Sequence, residues 1–305
     1  MSSTFSTFMA NLPRLIRAPF LLLTPICVGV GAVAAWHDSG EINLFRLVII
    51  MMGALAAHIS VNTFNEYFDF RSGLDLHTER TPFSGGSGAL PENPGLASAA
   101  LALAWGSFAV TVLCGLLLLR LAGPGLLPIG VAGLALIYLY TEWINRLSWL
   151  CLIAPGTGFG LFMVVGSYYA LTGEFSATAF VAALPVFFLV NALLLLNQLP
   201  DIEADRDAGR RHLPIVIGAE KSVTLFGALV ALAYLSVVAG VGAGILPLAT
   251  LTVLLSVPLA ISIWQQLRSG EVENPASLIP AMGKNVVLTL ATPALLGVWF
   301  VWASY

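Results

Sequence analysis

The chain contains repeated apolar runs of about 20 residues, the length that an α-helix needs to cross the hydrocarbon core of a bilayer. This repetition limits the possible folds more than any other feature. A membrane β-barrel would instead show short segments of alternating polarity, and the sequence has none. The 305 residues are 58% hydrophobic and only 10% charged. The pattern therefore predicts an all-α polytopic membrane protein and excludes an ordinary soluble domain.

Nine of these runs are predicted to be transmembrane helices. They lie at roughly 19–36, 44–66, 97–121, 125–141, 149–171, 179–199, 222–243, 245–265 and 283–303. Two connections, at about 67–96 and 200–221, are long and polar. They follow the second and sixth spans, which is a weak internal repeat. Because no soluble segment is appended, we expect residues 1–305 to form a single transmembrane domain.

The basic residues predict the orientation of this domain. With nine spans, 11 of the 13 basic residues fall on the side of the N-terminus, and only Arg46 and Arg120 fall on the other. The positive-inside rule then places the N-terminus and both long loops in the cytoplasm and the C-terminus outside. We expect an integral protein of a bacterial or archaeal cell membrane, with the bilayer and no nucleic acid as its partner. The sequence leaves the oligomeric state open.

The acidic residues are concentrated in two stretches and in the loop that follows the first stretch. Nine of the sixteen lie there: Glu66, Asp69, Asp75, Glu79, Glu92, Asp201, Glu203, Asp205 and Asp207. Carboxylates are costly near a membrane interior and usually mark a functional site. For one such cluster, ordinary capping or surface charge is the simpler interpretation. Two clusters at equivalent positions in the topology favour a site.

Helical spacing groups the polar side chains of each cluster on one face. In the first cluster these residues are Asn62, Asn65, Glu66 and Asp69. Asp75 lies beyond Gly73, which we expect to end the helix and turn the chain back. In the second cluster Asn197, Asp201 and Asp205 follow one another at four-residue intervals. Glu203 and Asp207 are out of phase and are expected to face the loop or solvent.

Two opposed faces of this kind suit Mg²⁺, which prefers oxygen ligands and binds one or two carboxylates together with substrate phosphates. They could hold two Mg²⁺ ions bridged by a diphosphate, whose leaving charge the metals would stabilise. Nearby arginines can add charge-assisted hydrogen bonds to phosphate oxygens. The candidates are Arg71, Arg80, Arg206, Arg210 and Arg211. An apolar cavity beneath the clusters would suit a long isoprenoid tail.

The segments Asn65-Glu-Tyr-Phe-Asp69-Phe-Arg-Ser-Gly-Leu-Asp75 and Asp201-Ile-Glu-Ala-Asp205-Arg-Asp-Ala-Gly-Arg-Arg211 resemble the two aspartate-rich motifs of the UbiA superfamily of intramembrane aromatic prenyltransferases. The resemblance implies a bundle of nine helices around a central cavity and Mg²⁺-dependent prenyl transfer from a prenyl diphosphate to an aromatic acceptor. It implies Mg²⁺ ligands at Asn65, Asp69, Asp75, Asn197, Asp201 and Asp205. Asp69 and Asp201 would be essential to catalysis, and Arg210 or Arg211 would contact the diphosphate.

The residue sequence of the first motif resembles that of the branch that prenylates 1,4-dihydroxy-2-naphthoate in menaquinone biosynthesis. The same branch resembles this chain at Val164-Val-Gly-Ser-Tyr-Tyr-Ala-Leu-Thr-Gly173. This acceptor is therefore our first expectation. The alternatives are a related enzyme with another acceptor, namely 4-hydroxybenzoate, homogentisate or a lipid alcohol. A cation-coupled transporter that uses the same acids is the alternative from another class of protein.

Several other polar residues have two interpretations. Arg17, Asn62 and Tyr140 are candidates for the acceptor pocket. His58, one turn before Asn62, could be a proton acceptor near the cavity, but a packed, hydrogen-bonded histidine is the simpler interpretation. His212 is expected to be a solvated loop residue. The glycines of Ser84-Gly-Gly-Ser-Gly88 could let backbone N–H groups approach phosphate, or the segment could be a plain flexible loop.

Overall fold

The computed structural model describes residues 2–76, 78, 80–270 and 274–302, and these residues form helices with no strand among them. Glu79, one of the clustered acids, and the last residue of the predicted span 283–303 lie outside the described residues. The helices are α1 (Ser2–Leu15), α2 (Ala18–Ser39), α3 (Leu44–Ser72), α4 (Ala89–Glu92), α5 (Pro94–Ala122), α6 (Leu126–Glu142), α7 (Ser148–Thr172), α8 (Ala177–Asn197), α9 (Ile202–Asp207), α10 (Leu213–Ile217), α11 (Ala219–Gly242), α12 (Leu248–Ser269) and α13 (Pro275–Trp302).

The prediction of an all-α membrane protein is confirmed, and the count of nine spans is approximate. Within the described residues, eight helices are long and apolar enough to cross a bilayer: α2, α3, α5, α7, α8, α11, α12 and α13. The predicted span 125–141 corresponds to α6, an apolar helix of 17 residues. At 1.5 Å per residue α6 is about 26 Å long, slightly less than the roughly 30 Å of a typical hydrocarbon core.

Local signals in the sequence fix where the membrane helices begin and end. The Asn43 side chain accepts a hydrogen bond from the Arg46 backbone N–H at the start of α3, and Ser176 caps α8 in the same way through Thr178. Such caps satisfy N–H groups that the first helical turn leaves free. Gly73, at φ 81°, ends α3 as predicted. A short 3₁₀ turn, Leu74–Leu76, then reverses the chain and brings Asp75 back.

Helices that are consecutive in the chain pack side by side and form a ring. The contacts run through α2, α3, α5, α6, α7, α8, α11, α12 and α13, and α13 returns to pack against α2. Additional contacts join α2 to α7 and α8. The largest buried apolar cluster lies among α8 and the helices around it. The ring gives the helices a common interior, while apolar side chains such as Leu113 and Leu117 of α5 stay on the outer surface.

Small residues allow the closest approaches between these helices, as expected where lipid gives little hydrophobic drive for association. A Cβ atom at Gly31 would lie 2.3 Å from the Val164 carbonyl oxygen of α7. A Cβ atom at Gly160 of α7 would lie 2.6 Å from the backbone nitrogen of Phe187 in α8. The glycines at 156–160 therefore serve mainly in packing, whereas Gly158 lines the central cavity.

Within α7, the segment Thr157–Val165 is π-helical. It begins two residues after Pro155, whose ring nitrogen cannot donate a helical hydrogen bond. Segments with π geometry are rare and are frequent at functional sites. This one places Gly158, Phe159, Phe162 and Met163 on the wall of the cavity.

The close contact at Gly31 gives a test of the packing. We expect Gly31→Ala to lower the free energy of unfolding by roughly 1–3 kcal/mol, because the added methyl group must displace the backbone of α7. Gly29→Ala, on the same helix, is the control, because a Cβ there meets no atom within 4 Å. Thermal unfolding in detergent measures both variants. Equal midpoints for the two alanine variants would contradict the packing described here.

Candidate active site

A cavity of about 620 Å³ lies inside the ring of helices described above. Its polar end is lined by the two acidic motifs, and the rest of its wall is apolar, with many residues from α5 and α6. On α3 the lining runs from Asp69 to Ile50. The 19 helical steps between these two residues correspond to roughly 28 Å at 1.5 Å per residue. The cavity is therefore a long apolar pocket with a charged mouth. We call this mouth, which the two acidic motifs line, the site end.

The first motif occupies the last turns of α3 and the turn that follows. The Asn65 amide donates a hydrogen bond of 2.9 Å to Asp69 Oδ2, so the two side chains share one face as predicted. Asp75 returns to them through the turn after Gly73 and is only 4% exposed. All three residues line the cavity.

The second motif lies opposite the first, at the end of α8. Asn197 is the last residue of that helix, Asp201 precedes α9, and Asp205 lies within α9. All three line the same cavity as the first motif. Glu203 and Asp207 are exposed, in agreement with their predicted phase. The two motifs therefore meet at one end of the bundle, as the sequence predicts.

Arg210 joins the two motifs directly. Its guanidinium donates a 2.9 Å hydrogen bond to Asp205 Oδ1 and a second hydrogen bond to Asp69 Oδ1. Burial alone would lower the pKa of Arg210, but the charges of Asp69 and Asp205 outweigh burial and raise the pKa. The arginine is therefore a permanent positive charge between two carboxylates that the chain places 136 residues apart, from 69 to 205.

The segment Ser84–Gly88, which we call the glycine loop, contacts both motifs. The Gly85 backbone N–H donates to Asp201 Oδ2 at 3.1 Å. Gly86 lies so close to Asp75 that a Cβ atom would be 2.6 Å from its Oδ1. Gly85, Gly86 and Gly88 all have positive φ values between 73° and 79°, a conformation that favours glycine. The loop is therefore held in a defined conformation and is not a plain flexible linker.

Glu66 anchors the glycine loop and is not part of the cavity wall. Its buried carboxylate accepts hydrogen bonds from the Ser87 backbone N–H at 3.0 Å and the Ser87 hydroxyl at 2.6 Å. It also pairs with Arg17, with an N–O distance of 2.7 Å. Arg17 has φ 49°, the left-handed conformation that costs a non-glycine residue about 1–3 kcal/mol. The buried ion pair with Glu66 holds Arg17 in that conformation.

The oxygen atoms of the two motifs fit a divalent cation bound together with a phosphate. Asp75 Oδ2, Asn197 Oδ1 and Asp201 Oδ1 are buried, and none has a hydrogen-bond partner in the part of the chain that the structure describes. Such orphan oxygens are costly unless a ligand satisfies them. In that same part of the chain, no three acidic, histidine or cysteine side chains converge tightly enough to hold a metal alone. This agrees with Mg²⁺, which takes few carboxylates and adds phosphate and water oxygens.

The pKa values of the Asp75 and Asp201 carboxyls agree with a divalent cation bound between the motifs. Burial, with a further contribution from Asp69 and Glu66, raises the pKa of Asp75 to about 7. Burial and the charge of Asp205 raise the pKa of Asp201 to about 7 as well. Because burial disfavours the charged form of both carboxyls, a bound cation would stabilise their ionised form.

Of the five arginines predicted to contact a diphosphate, only Arg210 lines the cavity among the residues that the structure describes. Arg80 pairs with Glu92 at 2.8 Å. Arg71 is exposed and lies over the Tyr67 ring, 5.9 Å from its centroid. Arg206 and Arg211 are also exposed. A role for these four arginines in diphosphate binding stays a prediction that the geometry does not favour.

The three candidates for the acceptor pocket all line the cavity. Arg17 and Asn62 lie near the site end, where the Asn62 amide donates to the Ile16 carbonyl oxygen at 3.0 Å. Tyr140 lines the cavity from the end of α6. Asn145 also lines it, from the connection between α6 and α7, and was not among the predicted site residues.

The prediction that His212 is a solvated loop residue is wrong, because the side chain is buried at the cavity. It is 1% exposed, lines the cavity, and its Nε2 lies 2.5 Å from Asp205 Oδ2. Asp205 thus has one oxygen bonded to Arg210 and the other to His212. The only signal in the sequence was the position of His212 directly after Arg210 and Arg211. A histidine that bonds a ligating carboxylate orients it.

Comparison with known proteins agrees with this arrangement. The profile of the UbiA prenyltransferase family matches residues 22–282. The 1,4-dihydroxy-2-naphthoate octaprenyltransferase of Bacillus subtilis (strain 168) is 30% identical over 274 residues, which cover 88% of this chain and 84% of that protein. The UbiA prenyltransferase domain-containing protein 1 of Homo sapiens is 29% identical over 251 residues, covering 81% and 71% of the two chains.

Solved structures share the fold at lower sequence identity. A UbiA homologue from Aeropyrum pernix K1 superposes with a TM-score of 0.70 at 20% identity, covering 94% of this chain and 98% of that one. A UbiA homologue from Archaeoglobus fulgidus, bound to GPP and Mg²⁺, gives a TM-score of 0.64 at 15% identity, covering 93% and 98%. Since the family profile and the B. subtilis relative both span most of the chain, this protein is an integral membrane prenyltransferase of the UbiA family.

Proposed function

We propose that this protein transfers a prenyl group from a prenyl diphosphate to 1,4-dihydroxy-2-naphthoate, with Mg²⁺ as cofactor, in menaquinone biosynthesis. The observation that carries the proposal is the cavity itself, in which two acidic motifs and Arg210 form the mouth of a long apolar pocket. The naphthoate acceptor follows from the B. subtilis relative, which bears that name. The Mg²⁺ requirement also follows the A. fulgidus homologue, which binds GPP and Mg²⁺.

The two motifs would hold the cofactor together with the diphosphate. The residues that would do so are Asn65, Asp69, Asp75, Asn197, Asp201 and Asp205. Two Mg²⁺ ions, when bound, would neutralise the charge that develops on the leaving diphosphate. Arg210 adds a fixed positive charge at the same place. The Gly85 backbone N–H lies within the same cluster and can donate to a phosphate oxygen.

The apolar part of the cavity holds the prenyl chain and excludes water. The allylic C–O bond breaks with its electron pair going to the diphosphate, and the cationic carbon is left facing the acceptor ring. A new C–C bond forms from ring electrons at the carbon that bears the carboxylate. The carboxylate then leaves that carbon as carbon dioxide, and the electron pair of the broken C–C bond restores aromaticity. The chain's contribution is to position the two substrates and to favour charge separation in a dry site.

The acceptor would bind on the wall formed by Arg17, Asn62 and Tyr140. Arg17 offers a cation to a ring carboxylate, although its pairing with Glu66 already neutralises part of that charge. The other acceptors considered, 4-hydroxybenzoate, homogentisate and a lipid alcohol, would use the same wall. The alternative of a cation-coupled transporter is set aside, because the chain belongs to a prenyltransferase family.

We further propose that the site end faces the cytoplasm of a bacterial or archaeal cell. The support comes from the basic residues. Arg14, Arg17 and Arg210 lie at the site end, and Arg46 bonds carbonyl oxygens of Leu121 and Leu171 at the far end of the bundle. An excess of basic residues on one side is typical of the cytoplasmic face.

The acceptor is tested by mass spectrometry of products from purified protein with Mg²⁺ and geranylgeranyl diphosphate. The four parallel acceptors are 1,4-dihydroxy-2-naphthoate, 4-hydroxybenzoate, homogentisate and a lipid alcohol. We expect a prenylated naphthoquinol that lacks the carboxylate carbon. If only one of the other acceptors gives a product, the protein would be assigned to a different branch of the family. No transfer to any of the four would refute the proposed reaction.

The metal assignment is tested by removing one charge from each motif. We expect Asp69→Asn and Asp201→Asn each to lower the turnover number roughly 100-fold or more, because each carboxylate serves in charge stabilisation at the breaking bond. Asp207→Asn is the control, since Asp207 is exposed beside the second motif. Gel filtration and thermal unfolding report whether the variants fold. Full activity in either motif variant would refute the assignment.

The raised pKa values of Asp75 and Asp201, both about 7, predict a pH dependence of Mg²⁺ binding. Below pH 7 both carboxyls hold protons that Mg²⁺ must displace, so the Mg²⁺ affinity should rise between pH 6 and 8. Without metal, the same two carboxyls lower the folding stability as the pH rises, which is opposite to their effect on Mg²⁺ affinity. The folded state holds more protons than the unfolded one between about pH 4 and 7, so these groups destabilise it as the pH rises.

Calorimetric titration with Mg²⁺ in the presence of a prenyl diphosphate measures this dependence. Because the diphosphate also titrates, the informative quantity is the difference between the wild-type protein and Asp201→Asn. We expect a shallower pH dependence in the variant. The same slope in both proteins would show that Asp201 does not titrate with metal binding.

A further inference from the structure

His58 is a buried ionisable residue that the proposed reaction does not yet use. It lies within α3, is 4% exposed, and lines the cavity. Ionisable side chains within membrane helices are costly and are candidates for functional sites.

The imidazole ring is held in one orientation by two neighbours. Its Nδ1 lies 2.8 Å from the hydroxyl oxygen of Thr24, a fully buried residue of α2. Its edge meets the Phe159 ring, with centroids 4.6 Å apart and an angle of 69° between the planes. Nε2 is thereby turned away from Thr24, and the residues that the structure describes offer it no hydrogen-bond partner. The free nitrogen belongs to a side chain on the cavity wall.

His58 lies on the cavity wall below the acidic motifs, on the same face of α3. His58, Asn62, Asn65 and Asp69 follow one another at helical spacing, and all four line the cavity. At 1.5 Å per residue, His58 is about 10 Å deeper than Asn65 and about 16 Å deeper than Asp69. The ring must reach the allylic carbon, which lies on the membrane side of the diphosphate. Phe20 and Leu23 line the same part of the cavity and can hold a flat ring.

From this geometry we infer that His58 Nε2 forms a hydrogen bond with a ring hydroxyl of the aromatic acceptor, and so selects hydroxylated rings. The inference rests on the proposed function. It holds for either tautomer, because a hydroxyl group both donates and accepts, so it pairs with Nε2 whether or not that nitrogen carries the proton. A ring without the hydroxyl would leave Nε2 buried and unpaired, which is a strong basis for rejection.

A purely structural role for His58 predicts a different outcome from the same substitutions. The amide nitrogen of asparagine can replace Nδ1, which bonds Thr24, whereas the longer glutamine places its amide near the position of Nε2. If His58 only bonds Thr24, His58→Asn should be the milder change. If it binds the acceptor, His58→Gln should be the milder change. Thr24→Ser, which keeps the hydroxyl, is the matched control on the other side of the bond.

The experiment measures KM for 1,4-dihydroxy-2-naphthoate and, separately, for geranylgeranyl diphosphate in the wild-type protein and the three variants. We expect His58→Asn to raise the acceptor KM by roughly 10-fold to 100-fold, the effect of one lost hydrogen bond in a buried site. The KM for the diphosphate should stay within about two-fold, since His58 lies more than two helical turns from Asp69. His58→Gln and Thr24→Ser should be close to the wild type.

Inhibition by 1-hydroxy-2-naphthoate and by 4-hydroxy-2-naphthoate, which each lack one hydroxyl, provides a second readout. One of the two should bind the wild-type protein at least 10-fold more weakly than the dihydroxy compound, and His58→Asn should abolish that difference. An unchanged acceptor KM in His58→Asn, or a milder effect of Asn than of Gln, would overturn the inference while leaving the reaction in place. A wild-type protein without transfer activity would instead overturn the proposed function first.

Discussion

The contact between Arg210 and the carboxylates of Asp69 and Asp205 is the interaction on which the rest of the site depends. It joins the end of α3 to α9 across the mouth of the cavity. Both carboxylates are buried, and the arginine side chain is 18% exposed. Breaking a buried ion pair leaves an uncompensated charge, which typically costs 3–5 kcal/mol. The arginine therefore brings the two motifs together and also supplies part of the positive charge that a diphosphate needs.

Around this contact, further buried polar groups are held by partners from distant parts of the chain. Glu66 binds Arg17 and Ser87, and the glycine loop that follows contacts both Asp75 and Asp201. The site end is thus built from α3, the glycine loop and α9 together, above an apolar pocket. A polar network of this kind positions its members well when each is satisfied. Three of the oxygens assigned to metal and phosphate, Asp75 Oδ2, Asn197 Oδ1 and Asp201 Oδ1, stay unsatisfied.

Much of this architecture could be predicted from the sequence, because membrane helices and helical spacing are local signals. The membrane spans, the turn at Gly73 and the shared face of Asn65 and Asp69 all agree with the structure. Long-range contacts could not be predicted. Sequence spacing put Glu66 on the polar face, but its side chain turns to Arg17 and Ser87. The sequence also could not show which arginine faces the cavity. In the folded chain Arg210 lines the cavity, whereas Arg80 pairs with Glu92.

Diffraction from crystals grown with Mn²⁺ and a thio analogue of geranylgeranyl diphosphate tests the two-motif site most directly. Anomalous scattering locates the metal ions without reference to activity. We predict two peaks at the site end, one beside Asp69 and Asp75 and the other beside Asp201 and Asp205, both in contact with the diphosphate. A bound diphosphate with no metal between the motifs, or with metal only at other residues, would contradict the account.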